Sequence, residues 1–563
     1  MLGIQTKEDR LAALADAKLR GGYYTPASIA QWLCAWCIRD KGDSVLEPSC
    51  GDGAFMQAAA ERLSDLGANA GQVVGQLCGV ELQHGEAARA ALRIQAITGR
   101  KTGRCFYGGD FFEWHSQNQL DRFKCVVGNP PFIRYQSFPE PARSTAMKFI
   151  EGLGFRANRL TNIWVPFVVA STESLETGGR LAMVLPAELL QVSYAAQLRS
   201  YLVESFCSIT VVTCNELFFD DAEQEVVLVL AEGKVERSTP GQACAVRVLQ
   251  FDRISDVLSA DCTAAWPKGS LKSIRHESEK WLKYFLTSAQ IGLMRALRES
   301  GAIAQLGDHA TVDVGVVTGN NDFFVVDKPT LDQWDIAEYS VRLVGRSSHL
   351  RGAIITSRDW KGLSTEGQRV HLLAVKREGN GSLSNAWHRY VEWGEKAGVN
   401  KGYKCSIRKP WYAVPAVWSP DCFIFRQIHD FPRAVVNRAD ATSTDTIHRM
   451  RCKVSASLLV SSLYTYLTAA SAEIEGRSYG GGVLELEPTE AESLLVPKQL
   501  CQGLPVEEID KCVREGGLAG VLAENDRLVL RRGLGLSERD CGMLKSAWEK
   551  MMNRRTSRRR RKA

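Results

Sequence analysis

Residues 125–132, with the sequence CVVGNPPF, combine groups that could do chemistry with a rigid backbone. The apolar run predicts the buried end of a parallel strand, and two prolines can continue neither a strand ladder nor a helix. Because Pro131 keeps Pro130 out of the helical region, the chain must turn there in a fixed, extended conformation. The Asn129 side chain and the Pro130 carbonyl then become two fixed acceptors, which suit the grip of an exocyclic NH2 group. Phe132 adds a flat apolar face on which a base could stack.

The chemistry that this stretch suggests is the transfer of a group to an aromatic amine. Such an amine is a poor nucleophile, because its lone pair is delocalised into the ring. Two acceptors on its hydrogens favour a more tetrahedral nitrogen, whose lone pair is then available for attack. The alternative interpretation is a Pro-Pro turn after a core strand, with no catalytic role.

A second stretch of interest is residues 45–55, VLEPSCGDGAF, which predicts a strand, a glycine loop and the start of a helix. Gly51 and Gly53 would let the backbone approach a ligand closely, and the helix N-terminus would offer free N–H groups to a carboxylate. The spacing differs from the dinucleotide pattern GxGxxG. For the glycines alone, an ordinary tight turn is the alternative.

Two acidic residues follow further predicted strands. Glu81 ends a strand over residues 76–82, where its carboxylate can accept both hydroxyls of a ribose. Asp110 ends a strand over residues 104–112, where it can accept from an adenine amino group. Either acid alone is more often a surface turn residue, but both precede Asn129 in the order of a nucleotide-binding fold.

Strand-like runs alternate with helical stretches, which predicts an α/β fold. Residues 134–157 are polar and predict an irregular, mobile loop over the substrate. The other predicted elements are helices over 29–38 and from Asn162, and strands over 181–185, 209–214 and 226–230. We therefore predict a doubly wound, mostly parallel sheet with a final hairpin, whose chemistry lies at the carboxyl ends of its strands.

Together these motifs resemble those of the gamma-group N6-adenine DNA methyltransferases of restriction-modification systems, the Eco57I-like class that includes type II and IIG enzymes. Asn-Pro-Pro-Phe is similar to their motif IV, and Ser-Cys-Gly-Asp-Gly is similar to their motif I. Tyr24-Thr25-Pro26 resembles motif X, and the two acids match motifs II and III in order. This chain departs from the family by having Phe132 where Tyr is commoner, and its glycine loop differs from the simplest pattern.

The resemblance implies a seven-stranded class I S-adenosylmethionine-dependent methyltransferase sheet in residues 1–245. It implies a mixed α+β target-recognition domain over residues 275–500 and leaves a helical segment with a basic tail over 501–563. The implied activity is site-specific methyl transfer from S-adenosylmethionine to adenine N6 in double-stranded DNA, with the base flipped out of the duplex. No metal is expected, because the sulfonium is already an activated leaving group.

The resemblance also implies roles for individual residues. Asn129, Pro130, Pro131 and Phe132 form the catalytic loop, and Phe218 or Phe219 would sandwich the base opposite Phe132, although either could equally fill the core. The implied cofactor-binding residues are Tyr24, Thr25, Glu47, Ser49, Cys50, Gly51, Gly53, Glu81, Asp110, Phe111 and Asn129.

The region after residue 310 interleaves basic and aromatic residues with glycine turns. Such a composition suits phosphate positioning and base-edge contact, but it also serves ordinary loops. It resembles the target-recognition region of the same methyltransferases, which favours DNA contact. The residues predicted to contact DNA are Thr318, Asn320, Arg346, Arg408, Trp411, His448, Arg477 and Tyr479.

Composition sets limits on the class of protein. The chain of 563 residues is too long for a single core, and no apolar run approaches bilayer length. The first twenty residues contain acidic side chains and no apolar signal core, so we expect no secretion and no membrane partner. Sixteen cysteines without a framework fit a reducing cytoplasm, and the lone pair Cys34 and Cys37 predicts packing rather than zinc binding.

The positive charge is concentrated at the C-terminus. The formal net charge is +6, and seven basic residues lie between Arg554 and Lys562, so the rest of the chain is nearly neutral. This tail predicts a disordered segment that either adds sequence-independent affinity for phosphate or is an inert, solvated terminus.

Other functions stay open at this stage. A methyltransferase for cytosine N4, RNA or protein glutamine would use similar acceptors, although a glutamine enzyme would not need a long region after the catalytic fold. An inactive DNA-specificity component is a further alternative, disfavoured by the intact motifs. The sequence shows no paired-acid-plus-lysine nuclease cluster, so we expect any cognate restriction endonuclease to be a separate partner protein.

Overall fold

The computed structural model describes residues 25–103, 105–156, 161–219, 225–236, 244–262, 271–272, 279–375, 383–478 and 482–557. The chain divides into two compact units between Ser288 and Ala289. Tyr24, Tyr479 and the tail from residue 558 onward lie outside the described residues. Within the described part of the chain, no helix is long and apolar enough to cross a membrane.

The first unit is built on one sheet, in which the described residues form nine strands in the order β3-β2-β1-β4-β5-β7-β6-β8-β9. The strands are β1 (Val45–Glu47), β2 (Leu77–Glu81), β3 (Phe106–Gly108), β4 (Phe123–Gly128), β5 (Leu175–Pro186), β6 (Phe206–Cys214), β7 (Val226–Lys234), β8 (Ala245–Phe251) and β9 (Leu271–Lys272). Strands β3, β2, β1, β4 and β5 pair in parallel, as predicted, and β7 runs antiparallel between β5 and β6. The sheet exceeds the predicted seven strands, because β8 pairs with β6 and β9 pairs with β8.

Helices connect these strands, as a parallel sheet requires. The helices of the first unit are α1 (Ala27–Cys37), α2 (Ala54–Asp65), α3 (Ala70–Gln76), α4 (His84–Thr98), α5 (Phe111–Gln117), α6 (Ala142–Gly152), α7 (Trp164–Glu173), α8 (Ala196–Ser205) and α9 (Ile254–Ser259). α1 is apolar on most of its surface and is buried, and Cys34 and Cys37 are both fully buried within it. The core on this side of the sheet combines α1 and α2 with the inner faces of β1, β4, β5 and β7.

Residues 134–157 differ from the prediction of an irregular loop. They contain α6, because Ala146, Met147 and Ile150 recur at helical spacing and all three are buried. The polar residues that suggested a loop lie on the other face of this helix.

The start of β5 also differs from the prediction. The strand begins at Leu175 rather than at Leu181, and it includes Gly178 and Gly179. The pairing with β4 shifts register between Phe123 and Cys125, which accommodates the extra residues as a bulge.

The second unit is a mixed α+β structure, as predicted. Its strands are β10 (Ile303–Gln305), β11 (Ala310–Asp313), β12 (Val325–Val326), β13 (Ser340–Val344), β14 (Ile354–Thr356), β15 (His371–Leu373), β16 (Cys422–Phe425), β17 (Gln427–Ile428), β18 (Ala434–Arg438), β19 (Thr442–Ser443), β20 (Ile447–Cys452), β21 (Arg477–Ser478), β22 (Leu484–Glu485) and β23 (Leu495–Pro497). Among the described residues, the larger sheets have the orders β11-β20-β16-β18-β14 and β12-β15-β13-β19. The smaller sheets pair β10 with β23 and β17 with β22 and β21.

The helices of the second unit surround these small sheets. They are α10 (Ser288–Glu299), α11 (Leu306–His309), α12 (Asn321–Phe324), α13 (Lys328–Trp334), α14 (Ser357–Thr365), α15 (Asn385–Lys396), α16 (Tyr403–Ser406), α17 (Ala456–Leu463), α18 (Tyr466–Glu475), α19 (Pro488–Glu492), α20 (Val506–Arg514), α21 (Leu518–Asn525) and α22 (Glu538–Thr556), with a π-helix over Asp526–Gly533. One core cluster is rich in aromatic rings, including Phe323, Tyr390 and Trp387.

The beginning of the basic C-terminal stretch is not a disordered tail. Arg554 and Arg555 belong to α22 and are buried, with exposed fractions of 6% and 2%. Arg555 forms an ion pair with Glu473 of α18 at 2.6 Å. Arg555 therefore links α22 to α18, and the remaining basic residues of this stretch lie outside the described part of the chain.

Candidate active site

The loops singled out in the sequence follow four neighbouring strands of the first sheet. The strand order β3-β2-β1-β4 places Asp110, Glu81, the glycine loop and Asn129 at adjacent carboxyl ends. Because these strands pair in parallel, the loops meet at one edge of the sheet. Topology alone therefore assembles residues that are far apart in the sequence.

The glycine loop needs its glycines for two different reasons. Gly51 and Gly53 both adopt left-handed backbone angles, with φ of +50° and +90°. A Cβ at Gly53 would lie 2.8 Å from the Cβ and 2.9 Å from the Cα of Ala90, so only glycine lets α2 begin against α4. Among the described residues, nothing lies within 4 Å of where a Cβ of Gly51 would be, so this part of the chain leaves space in front of the loop.

Glu81 ties the loop to the neighbouring strand. Its Oε2 atom accepts a hydrogen bond from the Gly51 N–H at 2.9 Å, and its Oε1 atom accepts from the Gln83 N–H at 2.9 Å. The carboxylate is therefore held in one orientation at the strand end. Each oxygen keeps a further lone pair with which a hydroxyl could bond.

Glu47, predicted to bind cofactor, lies deeper than the loop itself. It is only 2% exposed, and its Oε2 atom has no hydrogen-bond partner among the described residues. Burial raises the pKa of Glu47 well above its ordinary value, and the nearby carboxylates of Glu81 and Asp52 act in the same direction. Glu47 is therefore an enclosed carboxyl at the end of β1, directly before the glycine loop.

Asn129 joins three of the predicted motifs. Its Nδ2 atom donates to the Thr25 hydroxyl at 3.2 Å, and its backbone carbonyl accepts from the Ser49 hydroxyl at 3.2 Å. The bond to Thr25 sets the orientation of the amide, because its NH2 group faces that hydroxyl and its oxygen faces the other way. Pro130 is buried, and Asn129 is half-buried at the edge of the sheet.

The aromatic residues near this loop are more deeply placed. Phe132 is half-buried and packs against the core cluster that contains Phe218 and Phe219. Phe218 and Phe219 are only 4% and 7% exposed, so in this structure both fill the core. Phe132 is thus the predicted stacking residue with the greatest access to the site.

Asp110 and Phe111 have mainly structural contacts. Asp110 Oδ1 caps α5 by accepting from the Phe112 and Glu113 N–H groups at 3.0 and 2.9 Å. Burial raises the pKa of Asp110, although these two N–H groups counteract the shift. Phe111 is 3% exposed and stacks on Phe167, with ring centroids 5.3 Å apart.

The sequence analysis gave Asn162 only as the start of a helix, and the structure places it in a segment that is bonded to the chain just after Phe132. It is 8% exposed, and its Oδ1 atom has no hydrogen-bond partner among the described residues. The next residue, Ile163, donates its N–H to the Ile133 carbonyl at 3.1 Å, which fastens the start of α7 to the chain just after Phe132. An asparagine ahead of a predicted helix resembles an ordinary N-cap, so no distinctive signal marks this position in the sequence.

Comparison with known proteins identifies this arrangement. Residues 10–257 match the N-6 DNA methylase family, and residues 278–530 match the C-terminal domain of the type II methyltransferase M.Eco57I. Both parts of the chain are thus similar to Eco57I-like N-6 DNA methylases. The chain is a DNA methyltransferase of the restriction-modification type, and its cofactor is S-adenosylmethionine.

Relatives of this methylase extend over most of its length. The type II methyltransferase M.AccI of Acinetobacter calcoaceticus is 22% identical over 505 residues, which cover 86% of this chain and 87% of the relative. M.XamI of Xanthomonas campestris pv. amaranthicola is 23% identical over 489 residues, covering 85% of each chain. The solved structure of the type IIL restriction-modification enzyme MmeI in complex with DNA shares the fold, with a TM-score of 0.54 and 10% identity. That similarity covers 91% of this chain and 73% of MmeI.

The residues at the glycine loop of the methylase fit S-adenosylmethionine. The open space at Gly51 leaves room for a ligand beside the loop, and the Glu81 carboxylate lies at its rim. Cys50, also predicted to bind cofactor, is 4% exposed, and its Sγ atom lies 3.2 Å from where a Cβ of Gly79 would be. Only the backbone of Cys50 is therefore placed to face a ligand.

The residues of the methylase predicted to contact DNA have varied surroundings. Arg346 is exposed. Asn320 is half-buried and caps α12 through its side chain, and Trp411 donates its indole N–H to Glu395 at 2.9 Å. Arg477 is paired with Glu490 at 2.7 Å.

The structure corrects two of these predictions. His448 is fully buried, its Nε2 atom lies 2.7 Å from the Leu486 carbonyl oxygen, and burial lowers its pKa. Thr318 is 3% exposed, and its hydroxyl donates to Asn321 Oδ1 at 2.6 Å. Neither side chain can reach a nucleic acid from these positions, because each is buried and forms a hydrogen bond inside the second unit.

Proposed function

We propose that this methylase transfers a methyl group to adenine N6 at a specific site in double-stranded DNA. The observation that carries the proposal is the position of the Asn129 amide. Its NH2 group is bonded to Thr25 and its backbone to Ser49, so the amide is held in a fixed orientation beside the glycine loop, with its oxygen buried in this structure. An acceptor held in this way matches the exocyclic amine of a flipped base.

The residues of the catalytic loop would act on the base together. The Asn129 oxygen and the Pro130 carbonyl would accept from the two hydrogens of the amine, which makes its lone pair available. Phe132 would support the ring of the base by stacking. Because both acceptors are fixed before the base arrives, little reorganisation is needed during the reaction.

The remaining predicted site residues would hold the cofactor. S-adenosylmethionine supplies an activated methyl group when it is bound. Glu81 would accept from its ribose hydroxyls, and Gly51 would allow its close approach. The residues that complete this proposed set are Tyr24, Thr25, Glu47, Ser49, Cys50, Gly53, Asp110 and Phe111.

We propose that residues 1–245 carry catalysis and that residues 275–500 recognise the target sequence. The proposed DNA contacts of the second region are Asn320, Arg346, Arg408, Trp411, Arg477 and Tyr479. The names of the relatives M.AccI and M.XamI describe type II methyltransferases, which supports a separate cognate restriction endonuclease as a partner of this system.

The test is direct detection of the product. Purified protein is incubated with S-adenosylmethionine and unmethylated bacterial DNA, and the DNA is digested to nucleosides for mass spectrometry. We expect N6-methyladenine. A product of N4-methylcytosine would keep the roles of Asn129 and Phe132 but change the base, whereas cofactor binding without any methylated nucleoside would contradict DNA methylation.

A further inference from the structure

The most exposed apolar side chains of the second unit lie on a short, strongly basic segment, residues 401–409. Tyr403 is 74% exposed and Ile407 is 63% exposed, four residues apart on and just after α16. Lys401, Lys404 and Lys409 flank them and are all exposed. Two exposed apolar side chains on the same face form a small apolar patch, and such a patch offers a contact surface for another molecule. We call residues 401–409 the wedge segment.

Along the chain, every charged side chain from residue 397 to residue 420 is basic. No Asp or Glu occurs between Lys396 and Asp421. Among the described residues, none of the three wedge lysines forms an ion pair, and Lys404 Nζ instead lies 5.8 Å from the centroid of the Tyr403 ring. A surface of this kind attracts a polyanion and repels basic partners.

The wedge segment is held firmly from beneath. Arg408 donates to the carbonyl oxygens of Thr318 and Val317 at 2.6 and 2.7 Å, and Cys405 is fully buried. Gly319 has φ of +87°, and a Cβ at this position would lie 2.8 Å from Lys404 Cβ. The loop around Gly319 can therefore pack directly against α16, and the exposed side chains project from a fixed support.

We propose that the wedge segment inserts Tyr403 and Ile407 into a groove of duplex DNA while its lysines contact the flanking phosphates. The inference rests on the proposed function, since it names where the second unit meets the substrate. Duplex DNA satisfies both halves of the surface, because phosphates pair with the lysines and base edges or base steps accept apolar side chains. The fixed support lowers the entropic cost of forming the complex.

The experiment measures binding of the full chain to unmethylated duplex fragments of bacterial DNA over a series of salt concentrations. A triple variant, Lys401→Ala/Lys404→Ala/Lys409→Ala, should lower the slope of log affinity against log salt by about 0.9 for each phosphate that is no longer neutralised. The double variant Tyr403→Ala/Ile407→Ala should bind at least about tenfold more weakly with its salt slope unchanged.

The controls remove exposed side chains elsewhere in the second unit. Lys361→Ala and Lys511→Ala remove exposed lysines from α14 and α20, and Val454→Ala trims an exposed apolar residue. All variants are first checked for the wild-type thermal unfolding temperature and cofactor affinity. We expect the controls to bind DNA as the wild type does.

The outcomes separate this inference from the proposed function. If the wedge variants bind and methylate DNA as the controls do, while the wild type produces N6-methyladenine, the inference is overturned and the function stands. If the wild type neither binds nor methylates DNA, both fail. A changed salt slope for the lysines together with weaker binding for Tyr403→Ala/Ile407→Ala supports the wedge.

Discussion

The two units of this methylase use their polar residues in different ways. In the first unit, Asn129 and Glu81 lie at strand ends, where hydrogen bonds to neighbouring segments hold them at the edge of the site. In the second unit, several polar residues with chemical promise are internal, such as His448 and Arg555. The first unit thus places these polar groups beside the candidate site. In the second unit, His448 and Arg555 form internal bonds instead.

This difference shows how well a sequence motif predicts the position of a side chain in each kind of fold. A motif that follows a parallel strand has its position fixed by topology, because all such strand ends meet at one edge. In a mixed domain of small sheets, no comparable rule states which side of a strand faces outward. Residue type alone then gives little information about access to a ligand.

The largest predicted effect concerns the buried ion pair of the second unit. Arg555 and Glu473 are 1% and 3% exposed at their side chains, so Arg555→Met would leave a carboxylate buried without its cation. We expect a loss of about 3–5 kcal/mol in the free energy of unfolding, measured with urea. Arg531→Met is the matched control, since Arg531 pairs with Glu538 at the surface, where side-chain exposures are 44% and 84%. Equal losses in the two variants would contradict the structural role of Arg555.

A pH-dependent effect is predicted for Asp526. It is 5% exposed, and burial raises its pKa to about 7, although the Tyr466 N–H donates to Oδ1 at 3.0 Å. Above about pH 4 the unfolded chain loses this proton while the folded chain keeps it, so folding stability falls as the pH rises from about 4 to about 7. Asp526→Asn keeps the acceptor but removes the titration.

The difference in unfolding free energy between Asp526→Asn and the wild type should therefore shift in favour of the variant as the pH rises. At the upper end of this range the shift should be about 4 kcal/mol. Urea unfolding of both proteins at several pH values provides the measurement. A constant difference between about pH 4 and about pH 7 would show that Asp526 ionises normally in the folded state.

A smaller effect on stability is predicted for the two glycines of the glycine loop, Gly51 and Gly53. Gly53→Ala should cost about 2–3 kcal/mol of stability, because the left-handed angle is strained and the new Cβ strikes Ala90. Gly51→Ala should cost only about 1 kcal/mol, since no described residue lies within 4 Å of its Cβ position. It should nevertheless weaken S-adenosylmethionine binding about tenfold, as measured by calorimetry. If Gly51→Ala and Gly53→Ala lost the same stability and Gly51→Ala bound S-adenosylmethionine as the wild type does, the proposed cofactor position would be contradicted.

The sequence predicted the catalytic fold well for physical reasons. Apolar strand runs, a glycine loop and the Pro-Pro turn are local signals, and the parallel topology converts them into a site. The helix α6 was missed because its polar face dominates the composition, while its buried residues at helical spacing were the stronger evidence.

Other features depended on long-range contacts that no local pattern reports. The burial of Arg554 and Arg555 follows from packing of α22 against α18, which a basic run at a chain end does not indicate. His448 lies on β20, which pairs with β11 on one side and with β16 on the other, so neither edge of this strand is open. The strand order of such a sheet cannot be derived from residue types alone.

The measurement that tests the central claim most directly is the single-turnover rate of DNA methylation by Asn129→Ala. We expect the rate at saturating S-adenosylmethionine to fall about 100- to 1,000-fold, because the variant has no fixed side-chain acceptor for the amine. Thr25→Val, which removes only the hydroxyl bonded to Asn129, should slow the reaction less. A near wild-type methylation rate for Asn129→Ala would contradict the role assigned to this amide.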